Sequence, residues 1–136
     1  MMRNLYLERD KSNDIGFVHA CIVPGIISLE EFKDWIYFVI EHYDGEIPGY
    51  FFKILDLKHR FDYNSFEIMG FVPHWEFDES DYDALTGIGF RRGTLDSDDH
   101  LTREEALEAL QRKPHIEKKF YEMFPFLKEK DGVKDL

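Results

Sequence analysis

Only one cysteine, Cys21, occurs in the 136 residues, which excludes an intramolecular disulfide and any zinc site built on several thiolates. Such usage fits a reducing compartment, and a cytoplasmic location is expected. Long apolar runs are missing too: nothing approaches the ~18 residues of a membrane span. The opening stretch MMRNLYLERDKSND carries charges where a signal peptide needs an apolar centre. Neither secretion by that route nor a membrane partner is expected. Catalytic signatures are equally scarce. There is no GxSxG elbow and no HExxH, and the six histidines (His19, His42, His59, His74, His100, His115) include no pair four residues apart. Asp96, Asp98 and His100 take the spacing of a calcium loop's first three ligands. Leu101, however, stands where that loop needs glycine, and Leu107 where it needs a bidentate glutamate. Cys21 lies in an apolar stretch, where desolvation raises a thiol's pKa, so it reads as a buried structural residue and not a nucleophile. The expectation is a non-enzyme with no metal and no cofactor.

What the chain does have is negative charge and aromatic rings. The formal net charge is -11, and thirteen Phe, seven Tyr and two Trp argue for a folded chain. The length fits a single domain spanning 1–136, with polar ends at 1–13 and 127–136 expected to be mobile. Between Glu76 and Glu105 ten acids face three bases, Arg91, Arg92 and Arg103. A face of that sign repels nucleic acid and steers a basic protein toward it. The densest stretch is WEFDESDYD, from Trp75 to Asp83, without one Lys or Arg. Two readings stand side by side. Either this is a partner-binding surface whose aromatics anchor a binder, or it is a solvated acidic loop whose aromatics plug into the core. On the first reading the contact residues are Trp75, Glu76, Asp78, Glu79, Asp81, Tyr82 and Asp83, with Asp96, Asp98 and Asp99 the next candidates.

Periodicity predicts a mainly α fold of about five or six helices, with any strand confined to 64–93. Ile15 to Ile22 reads as a helix or a strand. Ser28-Leu-Glu-Glu31 is a capping box opening a helix whose apolar residues Leu29, Phe32, Trp35, Ile36, Val39 and Ile40 share one face, with Trp35 at its centre. Pro48 suggests a third helix running to about His59. A short helix through Ala84 and Leu85 is expected to stop at Gly87 and Gly89. The segment from Gly87 to Gly93 then reads as a tight crossover in which Arg91 and Arg92 neutralise nearby carboxylates, since it matches no phosphate-binding motif. Thr102-Arg-Glu-Glu105 is a second capping box, and Pro114 marks the start of a last helix with Ile116, Phe120, Met123 and Phe124 in one stripe.

Three segments together, ISLEEFKDWIYFVIEHYDGEIPGYFFKILDLK, FEIMGFVPHWEFDESDYDALTGIGFRRG and TREEALEALQRKPHIEKKFYEMFPF, resemble in order and texture the small bacterial immunity proteins of contact-dependent growth inhibition systems. The resemblance spans about Ile27 to Phe126 and rests on no diagnostic motif. It implies a cytoplasmic, cofactor-free toxin inhibitor that binds and neutralises a cognate toxin domain, often a basic nuclease. Carboxylates could pair there with the toxin's Arg and Lys in place of phosphates. A small adaptor or regulatory module, or a hydrolase with an unmarked site, would share the same composition.

Overall fold

Four of the described helix starts are set by side chains that satisfy free backbone donors. At Ser28 the box closes as the sequence suggests: the Glu31 N–H donates to Ser28 Oγ (3.1 Å) and the Ser28 N–H to Glu31 Oε1 (2.9 Å). In the computed structural model, which describes residues 3–133, this box opens the second of eight α-helices. They are α1 (Asn13–Ile22), α2 (Leu29–His42), α3 (Tyr50–Leu55), α4 (Ser65–Met69), α5 (Glu79–Arg92), α6 (Arg103–Arg112), α7 (Pro114–Met123) and α8 (Leu127–Lys130), with a 3-10 turn at Arg60–Asp62. The chain is mainly helical. Among the described residues there is no strand, only an isolated bridge between Glu8 and Lys11. Nor is any described helix long and apolar enough to cross a membrane. The strand allowed for at 64–93 is replaced by α4 and α5, which Asn64 and Asp78 cap by accepting the Glu67 and Asp81 N–H groups. Residues group into two compact units, Met1–Glu76 and Phe77–Leu136.

In the first unit Trp35 lies fully buried with Phe17, Phe32 and Phe51. The Trp35 and Phe51 rings are 5.4 Å apart. The apolar stripe of α2 is narrower than its pattern suggests, because Ile40 remains 38% exposed. The third helix ends at Leu55, short of His59. Gly16 marks a close approach, since a Cβ there would lie 2.4 Å from the backbone of His74 and Trp75. Of the ends expected to be mobile, positions 1–2 and 134–136 lie outside the described residues; Leu5 and Leu7 are buried, and the Arg3 guanidinium donates to both oxygens of the buried Asp14 (2.7 and 3.0 Å).

In the second unit α5 runs straight through Gly87 and Gly89 to Arg92, so the expected stop and crossover are replaced by continuous helix. Packing explains the glycine: a Cβ on Gly87 would sit 2.4 Å from the carbonyl oxygen of Ala106 in α6. The true stop is Gly93, in the left-handed region at φ 77. Arg91 and Arg92 do meet carboxylates, Glu117 of α7 and Asp131 beyond α8. The box at Thr102 and Glu105 closes as expected, and Pro114 takes the first turn of α7, whose Ile116, Phe120 and Met123 are buried together with Phe124. Leu127, in a stretch expected to be mobile, is buried as well, and Asp131 accepts from Arg92 Nε (2.9 Å) and Tyr121 Oη (2.6 Å).

Candidate functional site

The acidic residues fall into three groups with different surroundings. Trp75 is the clearest departure from the partner-surface reading: it is 5% exposed and meets Phe17 edge-on at 5.0 Å, in the core of the first unit. The core alternative holds for this ring. Glu76, in the same unit, is exposed, and its N–H donates to Asn13 Oδ1 (2.9 Å).

Asp78 and Asp81 form a reciprocal cap at the start of α5. The Asp81 N–H donates to Asp78 Oδ1 (2.8 Å) and the Asp78 N–H to Asp81 Oδ2 (3.2 Å). The backbone bond from Asp81, then the Ser80 hydroxyl, hold the Asp78 carboxyl below its ordinary pKa. Both carboxylates also have cations. Lys113 Nζ, at the junction of α6 and α7, stands 3.4 Å from Asp78 Oδ2 and 3.4 Å from Asp81 Oδ1, and His115 Nε2 is 3.2 Å from Asp81 Oδ1. These two acids are committed to the fold. Sequence reasoning placed them in the contact set because their partners, Lys113 and His115, lie more than thirty residues downstream, at a separation no local pattern reveals.

The third group is different. Glu79 and Asp83 stand on the first turns of α5, while Asp96, Asp98 and Asp99 occupy the exposed connection to α6, beside Glu105. Burial first, then the charges of Glu79, Asp98 and Glu105, push the Asp83 pKa above its ordinary value. Among the described residues, none of Glu79, Asp83, Asp96, Asp98 and Asp99 forms an ion pair. A cavity of about 420 Å³ lies on this connection, lined among others by Asp96, Asp98, Asp99, His100, Arg103 and Glu105. The exposed Asp98 carboxylate accepts the His100 N–H (2.9 Å), and Arg103 donates to the Phe90 carbonyl (3.1 Å). Nearby on the same unit, Phe77 is 46% exposed with its ring 5.7 Å from that of Tyr82. Glu105 was missed as part of this set. Its capping motif is plain in the sequence, but the field it exerts on Asp83 depends on how α5 packs against α6.

Carboxylates so arranged can accept hydrogen bonds from Arg and Lys. Among the described residues, no three His, Cys, Asp or Glu side chains are placed to hold a metal ion. No family model matches the chain, and no curated protein or solved structure matches it.

Proposed function

We propose that this chain is an immunity-type inhibitor, acting in the cytoplasm, that binds and neutralises a basic toxin domain through Glu79, Asp83, Asp96, Asp98 and Asp99, with Phe77 and Tyr82 flanking them. One observation carries the reading: Asp83 is crowded by Glu79, Asp98 and Glu105, and none of the first three has an ion-paired cation among the described residues. A cationic partner relieves such repulsion and is steered to it from a distance, which speeds association at low salt. The resemblance to immunity proteins supports the same reading independently of the charges. Inhibition by occlusion needs no turnover, so the protein should show neither hydrolase nor nuclease activity of its own.

The test must separate binding from folding, and Asp78 and Asp81 are unsuitable for it because they cap α5. Reversing Glu79, Asp83, Asp98 and Asp99 to Lys moves the net charge by about eight units, from -11 toward -3. The variant should melt no lower than the wild type. Its association with the toxin domain of a neighbouring effector gene, once such a gene is found, should slow, and the salt dependence of that association should flatten or invert. A variant that melts normally and still neutralises the toxin at wild-type affinity would sink the proposal. The absence of any exported effector gene next to this one would favour a resident cell protein as the partner.

A further inference from the structure

The backbone groups of residues 5–7 alternate in the direction of their bonds. Tyr6 turns to α1: its carbonyl accepts from the Asp14 and Ile15 N–H groups (3.2 and 3.3 Å), and its N–H donates to Asp14 Oδ2 (2.7 Å). Leu5 and Leu7 turn to two tyrosines instead. The Leu5 N–H donates to Tyr43 Oη (3.2 Å), and the Leu7 carbonyl accepts from Tyr50 Oη (2.6 Å). This is the alternation of an extended chain. It leaves over the Leu5 carbonyl and the Leu7 N–H, neither of which has a hydrogen-bond partner among the described residues. Both residues are buried, where an unmet main-chain group is costly, and both line an open cavity with Tyr43 and Tyr50. Its volume is about 560 Å³, within the range of about 300–1,000 Å³ common for ligand sites.

We infer that this cavity binds an extended peptide segment of a partner protein, one residue of which donates its N–H to the Leu5 carbonyl and accepts from the Leu7 N–H. Between parallel strands a single residue bonds the groups on either side of its opposite number, so the two free groups flanking Tyr6 make one complete pairing position. The hydroxyls of Tyr43 and Tyr50 bound it at both ends. Because α1 already fixes Tyr6, little of the site has to be ordered when the peptide arrives. Main-chain pairing of this kind supplies affinity, and neighbouring side chains supply preference. The residues next to the paired one share the face of Leu5 and Leu7, the inner, apolar one, whereas the paired residue shares that of Tyr6, which is 43% exposed. Wall charges offset each other, Glu8 and Glu46 against Arg9 and Lys11, so an uncharged occupant fits better than an acidic or basic one. The site lies in the first unit and is independent of the acids proposed to meet a toxin.

Amide NMR on the full, isotope-labelled chain tests this without altering the protein. The probes are the capped tripeptide acetyl-Val-Ala-Val-methylamide and its counterpart N-methylated at the alanine, which keeps the extended shape but lacks the central donor. At millimolar concentration the first should move the Leu7 amide proton downfield in a saturable way and slow its exchange with solvent, while amides of α5 stay in place. The second should bind about tenfold more weakly, the size expected when a buried acceptor loses its donor. Absence of a saturable Leu7 shift would overturn the site. Equal affinity for the two peptides would overturn the backbone pairing. Leu7 shifts that grow with protein concentration before any peptide is added would make a second copy of this chain the occupant, and so overturn the assignment to a partner's segment.

Discussion

Trp35 has its whole side chain inside the first unit, yet its indole Nε1–H has no acceptor among the described residues. An unmet buried donor is costly, so the ring's packing and its N–H act in opposite directions. Trp35→Ala should lower stability by roughly 3–5 kcal/mol, while Trp35→Phe, which deletes the donor and keeps most of the ring, should cost about 1 kcal/mol or nothing. Urea denaturation distinguishes them, and a large loss in Trp35→Phe would mean the N–H is satisfied. Asp83 offers a test at the surface. Its raised pKa means that the fold disfavours its charge, a penalty present at neutral pH and relieved as pH falls through the raised value toward the ordinary 3.8. Asp83→Asn should therefore melt higher than wild type at pH 7 and low salt, lose that advantage near pH 3, and lose in molar salt only the part owed to Glu79, Asp98 and Glu105. At this scale the sequence was legible in part. Trp35 sits at the centre of a 3.6-residue stripe, and its burial could be read from neighbours on its own helix. Trp75 sits in an acidic run, and its burial depends on α1, some sixty residues earlier, where Gly16 lets the backbone come close.

Capping boxes were the most legible elements, because donor and acceptor are three residues apart and the chemistry is local. Glycine was the least. Gly87 read as a stop because its intrinsic helix propensity is poor, but tertiary contact overrode propensity: α6 comes near enough that only a hydrogen fits. Gly87→Ala should lose about 1–3 kcal/mol through overpacking, even though alanine is the better helix former. Gly49, just before α3, is the control. It has a helical φ of -60 and open space where a Cβ would go, so Gly49→Ala should gain about 0.4–1 kcal/mol. Thermal melts of the pair check both signs, and equal shifts would mean that the α5–α6 approach is looser than described. The single turns α4 and α8 were invisible for another reason: four or five residues are too few to display a period.

At the scale of the whole chain, the apolar spacing repeated in several segments was enough for the mainly helical class, and composition for the sign of the net charge, since both draw on many residues. Which carboxylates still carry an unbalanced charge is not a sum, because it depends on where Lys113 and His115 return in the fold. The division between committed and uncommitted acids has a consequence for how such a sequence can change over time. Asp78, Asp81 and Lys113 form a mutually dependent set, so drift at one would have to be matched at another. Glu79, Asp83, Asp96, Asp98 and Asp99 carry no such tie, and any of them could be rewritten without disturbing the cap of α5. Under the proposed function, a lineage meeting a new toxin would thus have five positions open to trial beside three held constant, and diverged descendants should vary at the five while keeping the three.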